Sequence, residues 1–194
     1  MARKYSGLFQ KEYSFRGAHA EHVQALTAKF GTKNSQLFSR NLDVYLIAPL
    51  VGYCYQRRAN PDLTPNGETT KIFPEQLIKE SQTLWFIYRL ILLLDKKHEK
   101  DFEARVNIAF RDYGKPEAED HEMLFDSYVL GGVELLHEKL LENGHVEEDY
   151  INNLFDFLSD FNERYYSAVS AEDIQETVLK LAKTGRTSAR NSRV

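Results

Sequence analysis

Apolar residues recur at helical spacing along this chain, and the strongest such run covers residues 38–58. Its apolar positions surround the helix almost completely: Val44, Leu46, Ile47, Leu50, Val51, Cys54 and Tyr55. A helix that is apolar all round lies inside a domain, with other helices packed on it. The pattern therefore predicts that this segment is the central helix of the fold.

Single residues in this run add detail to the prediction. Asn41 or Asp43 can cap the helix by accepting a backbone N–H that otherwise lacks a partner. Pro49 removes one interior hydrogen bond and is expected to bend the helix. Gly52 leaves room for a neighbouring backbone. Cys54 lies on the apolar surface, which favours a buried, inert thiol.

The same 3.6-residue period continues through most of the chain. It predicts further helices over residues 18–30, 74–97, 101–113, 117–141, 149–166 and 171–183. Residues 59–70 contain two prolines and an Asn-Gly pair, which are typical of a surface loop. No stretch predicts a convincing sheet. The predicted fold class is therefore all-α, a single compact domain of six or seven helices with a short N-terminal extended arm.

This organisation divides the chain into three parts, namely an N-terminal arm at 1–17, a helical domain at 18–183 and a basic, disordered tail at 184–194. Inside the domain, the residues of helix 101–113 that are expected to point inward are Phe102, Val106, Ala109 and Phe110. Those of helix 149–166 are Ile151, Leu154, Phe155, Leu158, Phe161 and Tyr165. Gly131-Gly132 interrupts the apolar pattern of helix 117–141. Each glycine costs roughly 1 kcal/mol in a helix interior, so the pair indicates close packing or a bend.

Charge is distributed unevenly. Residues 1–33 contain six Lys or Arg and two Glu, and residues 178–194 contain five Lys or Arg and no acid. The formal net charge of the whole chain is nevertheless −4, so the segment between these two ends is strongly acidic. The overall balance does not indicate nucleic-acid binding, whereas the two basic ends leave it open.

The single cysteine excludes an internal disulfide and favours a cytoplasmic protein. No apolar signal region follows the N-terminal charges. The most apolar run, residues 84–94, is about half the length that a bilayer requires, and Arg89 interrupts it. We therefore expect a core helix there and no association with a membrane.

Motifs that carry chemistry are absent from the sequence. It contains no glycine-rich phosphate loop, HExxH pair, CxxC pair or serine elbow. His19 and His22 are three residues apart and could share a metal ion, but no third ligand follows at a recognisable spacing. A solvated helix face is the favoured interpretation of these histidines. No cofactor or metal is predicted.

Charged residues give weak support to catalysis. Glu117 and Asp120 lie near a helix start, where acids match the helix dipole. An all-helical RNA-cleaving toxin would require an arginine followed a few residues later by an inward histidine, and Arg105 and Arg111 have no such partner. A non-enzymatic protein is therefore favoured, and a nuclease or toxin with a dispersed active site is the alternative.

The remaining candidates for a functional site are arginines. Arg40, Arg57 and Arg58 border the central helix. Three further candidates in the tail are Arg186, Arg190 and Arg193. All six could contact the phosphates of a nucleic acid. The alternative is that they interact with helix dipoles and pair with the abundant Asp and Glu.

Three motifs together resemble a known group of proteins. In order, they are Phe38-x-Arg40-x-x-Asp43-Val44 continuing to Ala48, Gly52-Tyr53 and Arg57-Arg58; Lys71-Ile-Phe-Pro-Glu75; and Phe125-x-x-Tyr128-x-x-Gly131-Gly132-x-Glu134-x-Leu136. In order and spacing they are similar to small bacterial proteins associated with Dnd-type DNA phosphorothioation and related phage-defence gene clusters. The resemblance covers residues 38–141, and Pro49 and the loop at 60–70 depart from it.

The resemblance implies a non-enzymatic accessory component of an anti-phage defence or DNA-modification system. It supplies no catalytic residue. The expected partners are other defence-system proteins and, through the basic ends, DNA, and an oligomer is compatible with this role.

Overall fold

The computed structural model describes residues 8–113, 115 and 118–165. Its elements in chain order are β1 (Tyr13–Arg16), α1 (Ala18–Leu26), α2 (Asn41–Cys54), β2 (Thr69–Ile72), α3 (Pro74–Lys79), α4 (Ser81–Leu94), α5 (Phe102–Phe110), α6 (Ala118–Leu140) and α7 (Glu147–Tyr165). The described chain is thus mostly helical, as predicted. It divides into one compact unit that ends at Tyr150 and a second that begins at Ile151.

A small antiparallel sheet is the main departure from the predicted all-helical class. β1 pairs with β2 in a register that places Tyr13 opposite Ile72 and Arg16 opposite Thr69. Phe15 and Ile72 are both buried. The prediction of no sheet was wrong because each strand has only four residues, too few to show a clear alternation. The end of the predicted arm, residues 13–16, is therefore part of the folded unit.

Helices α2 and α6 form the centre of the first unit, and glycines bring their backbones together. A Cβ atom on Gly132 would overlap the carbonyl of Ala48, and a Cβ atom on Gly52 would overlap the carbonyl of Tyr128. Close packing therefore explains the Gly131-Gly132 pair, and α6 continues through it as one helix. The predicted role of Gly52 is also confirmed.

The ends of α2 differ from the prediction. Arg40 is the N-cap residue, and no side chain caps the helix. The amide of Asn41 instead donates to Thr70 Oγ1 at 2.8 Å, which ties α2 to β2, and Asp43 accepts from Arg40. Cys54 is the last residue of the helix and only half-buried, so the expectation of a buried thiol was wrong.

The predicted long helix over 74–97 is divided in two at Glu80, which lies between α3 and α4. No glycine or proline marks this position, so periodicity could not show it. At the other end of α4, Asp95 is buried and accepts hydrogen bonds from the backbone N–H groups of Lys97 and His98. Its second oxygen accepts from the hydroxyl of Tyr128 at 2.7 Å. Asp95 therefore connects the end of α4 to α6.

Helix α5 is oriented by a buried arginine. Arg105 is only 5% exposed and donates to the carbonyls of Leu93, Glu99 and Lys100, each at 2.8 Å. Phe102 and Phe110, which were expected to point inward, are exposed. The expectation was wrong because hydrogen bonding of one cation, rather than apolar burial alone, determines how this helix packs.

No residue of α7 is buried. Four apolar residues that were expected to point inward are exposed, namely Ile151, Leu154, Phe155 and Leu158. That expectation was therefore wrong for these positions. The predicted helix at 171–183 and the basic tail at 184–194 lie outside the described residues. Within the described part of the chain, no helix has the length and apolar character needed to cross a membrane.

Candidate binding site at the end of helix α2

The segment that follows α2 rests directly on the glycines of α6. Gln56 adopts a left-handed backbone conformation (φ 55°), which reverses the chain after the helix. The N–H of Arg57 then donates to the carbonyl of Gly52 at 2.8 Å, and the N–H of Ala59 donates to Ser127 at 3.0 Å. A Cβ atom on Gly131 would overlap the carbonyl of Arg57. Two motifs of the sequence, the arginine pair and the glycine pair, thus meet in space.

Arg57 is paired with carboxylates. Its Nε lies 3.5 Å from Glu134 Oε2, and its Nη2 lies 3.8 Å from Glu138 Oε2. These acids, one helical turn apart on α6, are its ion-pair partners in the described chain. The interpretation of Arg57 as an intramolecular partner of acids therefore fits the geometry.

Arg58 has a different environment. Its side chain is exposed, its guanidinium carbon lies 5.8 Å from the centre of the Tyr128 ring, and no carboxylate oxygen of a described residue is within 4.0 Å of it. Burial, then the hydrogen bond to Asp95, raises the pKa of Tyr128 well above its ordinary value. The ring is therefore neutral and held in place beneath the cation.

Arg58 lines an open cleft of about 630 Å³. The other residues that line it are Gln56, Ala59, Asn60, His98, Asp120, Met123, Leu124 and Ser127. Most of them are polar, and two carry amide groups that both donate and accept hydrogen bonds. We call this space the Arg58 cleft. It lies within the range of volumes typical of small-ligand sites.

The other predicted arginines do not join this cleft. Arg40 lies at the opposite end of α2, a helix of 14 residues and hence about 20 Å long. Its guanidinium is 2.6 Å from Asp43 Oδ1. Arg186, Arg190 and Arg193 lie outside the described residues. Of the three described candidates, the structure therefore leaves Arg58 alone without a carboxylate partner in the described chain.

A second cavity, of about 330 Å³, is lined by Asp126 and Leu130 of α6. The polar residues that line it include Glu12, Tyr13, Arg16, His19, Asp62 and Asp126. His19 is 4% exposed, so the predicted solvated face was wrong for this residue. We call this space the His19 pocket.

Hydrogen bonds organise the walls of the His19 pocket. The hydroxyl of Tyr13 donates to Asp126 Oδ1. Burial raises the pKa of Asp126, while the hydrogen bond from Tyr13 opposes the rise. Asp62 accepts from Thr64 and from the N–H of Ala18 at the start of α1, and these bonds lower its pKa to about 2. Asp62 is therefore ionised at neutral pH.

Sequence reasoning missed this pocket because its members are far apart along the chain. Tyr13 and Asp126 are separated by 113 positions, and no local spacing relates them. Among the described residues, no group of three or more His, Cys, Asp or Glu could hold a metal ion. Comparisons of the chain with models of protein families, with curated proteins and with solved structures gave no match.

Proposed function

We propose that this protein is a non-enzymatic accessory component of a bacterial anti-phage defence or DNA-modification system, and that it binds single-stranded nucleic acid through the Arg58 cleft. The observation that carries the binding proposal is the exposed guanidinium of Arg58, whose carbon lies 5.8 Å from the centre of the Tyr128 ring and which has no carboxylate partner in the described chain. The resemblance of the three sequence motifs supports the defence role.

The chemistry of the cleft suits a nucleotide. Proteins that bind single strands combine a cation for the phosphate with aromatic or guanidinium planes on which bases stack. Arg58 supplies both a charge and a plane, and Gln56, Asn60 and Ser127 supply donors and acceptors for base edges. A volume of about 630 Å³ lies within the range of small-ligand sites, so the cleft is large enough for a nucleotide.

Charge limits the strength of this binding. Arg40 and Arg57 are engaged with acids of their own chain, so only one described arginine of the predicted set is available to a phosphate. Each phosphate contacted on a single strand contributes about 0.7 to the slope of log affinity against log salt. We therefore expect the cleft to bind weakly and with little preference for sequence.

The proposal is tested by fluorescence anisotropy with labelled oligo-dT and oligo-rU, at low and at physiological salt. Arg58→Gln should remove most of the binding that the cleft contributes. Arg40→Gln is the matched control, because it removes the same charge at an exposed position paired with Asp43, and it should leave binding nearly unchanged. Equal losses in both variants, or no binding by the wild type at low salt, would overturn the role of the cleft.

A nuclease is the second candidate, favoured by one observation: His98 and Asp120 line the same cleft as Arg58. An imidazole can act as a general base on the 2′-hydroxyl of RNA while a guanidinium stabilises the phosphate. Incubation with labelled RNA separates the two functions. Cleavage that His98→Gln abolishes while binding persists would establish the nuclease and exclude the non-enzymatic role.

The defence role requires a separate experiment in the host cell. Deletion of the gene should raise the plating efficiency of phage, and wild-type protein should restore resistance. Complementation with Arg58→Gln then shows whether the cleft is needed. Unchanged plating after deletion, across a panel of phages, would contradict the defence role without affecting the binding proposal.

A further inference from the structure

The His19 pocket contains a buried group whose bonding is unsatisfied. His19 is 4% exposed, and neither of its ring nitrogens makes a hydrogen bond. Nε2 lies 3.3 Å from Glu134 Oε1, but without the geometry of a hydrogen bond. A buried polar atom without a partner costs about 1–3 kcal/mol, so native proteins rarely retain one without a reason such as a bound ligand.

The three carboxylates that line the pocket differ in what they can still bind. Asp62 is occupied by the backbone N–H groups of Ala18 and Thr64. Glu12 is paired with Lys71 at 2.9 Å. Asp126 receives the hydroxyl of Tyr13 on Oδ1, while its Oδ2 has no hydrogen-bond partner among the described residues. Because Glu134 Oε1 already lies 3.3 Å from His19 Nε2, the acceptors left for a ligand are Asp126 Oδ2 and Nδ1 of His19.

The charge of the pocket determines the ligand class. Three carboxylates line it against one guanidinium, that of Arg16. An anion would be repelled by those carboxylates. A cation that donates hydrogen bonds would compensate the cost of burying Asp126 and would satisfy the imidazole at the same time.

We propose that the His19 pocket binds a small organic cation, a primary amine or a guanidinium compound, with Asp126 as the ionic partner and His19 as a hydrogen-bond acceptor. The volume of about 330 Å³ limits the ligand to a molecule of about the size of agmatine or putrescine. This proposal is independent of the Arg58 cleft.

Thermal unfolding of the full chain with agmatine provides the test, over a range of about 0.1 to 10 mM at constant ionic strength. Agmatine should raise the Tm of the wild type, and glutarate, an anion of similar length, should not. Asp126→Asn should lose the agmatine response. Glu103→Gln makes the same change of charge at an exposed position of α5 and should retain it.

A second measurement covers the case in which Asp126→Asn does not fold. In a ¹H–¹³C spectrum of the wild-type histidine rings, agmatine should shift the His19 signals more than those of the other five histidines. His19→Gln supplies the assignment. The proposal is overturned if agmatine shifts neither the Tm nor the His19 signals, if glutarate stabilises equally, or if Glu103→Gln loses the response as Asp126→Asn does.

Discussion

Polar residues inside the first unit have functions that their neighbours in sequence do not reveal. His22 and His137 stack with ring centres 4.0 Å apart, and both are half-buried. Arg105 is more deeply buried and is surrounded by backbone carbonyls. In each case, partners from another segment keep a usually solvated type of residue in the interior. The environment of the residue, rather than its identity, therefore determines its structural role.

The histidine pair predicts a pH dependence of stability. Burial lowers the pKa of both imidazoles, and the charges of His137 and His19 lower that of His22 further, against an opposing effect of Glu134. Glu142 opposes the shift of His137. Because the unfolded chain then binds protons at a higher pH than the folded one, stability should decrease as the pH falls below about 6.5.

Differential scanning calorimetry between about pH 5 and 7.5 checks this dependence. His137→Gln should lose part of the decrease in Tm, whereas His145→Gln, at an exposed position, should not. Burial raises the pKa of Asp126 and Glu122, which stabilises the fold at lower pH and opposes the trend. Both histidine variants retain Asp126 and Glu122, so the difference between the variants is free of this opposing effect. Identical profiles of Tm against pH would contradict the assignment of the pH dependence to His22 and His137.

The buried hydrogen bonds of Arg105 predict that substitution of this side chain destabilises the fold. Arg105→Met removes the donors for three carbonyls, so the free energy of unfolding should fall by about 2–4 kcal/mol. Arg111→Met makes the same substitution at an exposed position that follows α5. It should change the free energy of unfolding by no more than about 0.5 kcal/mol. Urea denaturation measures both. Similar values for the two variants would mean that the buried bonds contribute little.

At the scale of elements, the contact between α2 and α6 positions both cavities. Ser127 of α6 lines the Arg58 cleft, the ring of Tyr128 lies 5.8 Å from the guanidinium carbon of Arg58, and Asp126 and Leu130 of the same helix line the His19 pocket. The glycines hold α2 and the segment after it against this helix. A change in the spacing of the helices would therefore alter both sites.

Gly132→Ala tests this packing. Alanine raises intrinsic helix stability by about 1 kcal/mol, but its Cβ would overlap the carbonyl of Ala48, and relieving that overlap should cost about 3 kcal/mol or more. A net loss of stability is expected, and a larger one for Gly132→Leu. Gly67→Ala in the loop before β2, where the nearest atoms are 3.2 Å from the added Cβ, should have a smaller effect. A more stable Gly132→Ala would show that the two helices separate easily.

At the scale of the whole molecule, the predicted arginines are separated rather than clustered. Arg40 and Arg58 lie at opposite ends of α2, and the candidates of the tail are outside the described residues. The chain carries 29 acidic against 25 basic residues. Long-range attraction of a nucleic acid by the whole protein is therefore weak, and local contacts must provide the affinity.

Salt dependence distinguishes the contributions of the cleft and the tail. Deletion of residues 184–194 removes three arginines, so the slope of log affinity against log salt should shrink by roughly 2–3 if all three contact phosphates. Arg58→Gln should shrink it by only about 0.7. Anisotropy titrations at several salt concentrations measure both slopes. An unchanged slope after the deletion would assign the tail a role other than phosphate binding.

The sequence by itself determined the helical class, the central position of α2 and the structural role of Gly131-Gly132, for which it left close packing or a bend. These features follow from local rules, because the period of apolar residues and the lack of a side chain on glycine can both be recognised within a few residues of sequence. The same rules explain why helix ends were less well predicted: the break at Glu80 and the uncapped start of α2 depend on what packs against them.

Only the tertiary structure decided which residues share a site. Arg57 and Glu134 are 77 positions apart, and Tyr13 and Asp126 are 113 apart, so no spacing in the sequence relates them. The structure paired Arg40 and Arg57 with acids, left Arg58 on an aromatic ring, and buried His19 in a pocket. The physical reason is that the availability of a charge depends on the distance and burial of its partners, and folding sets both.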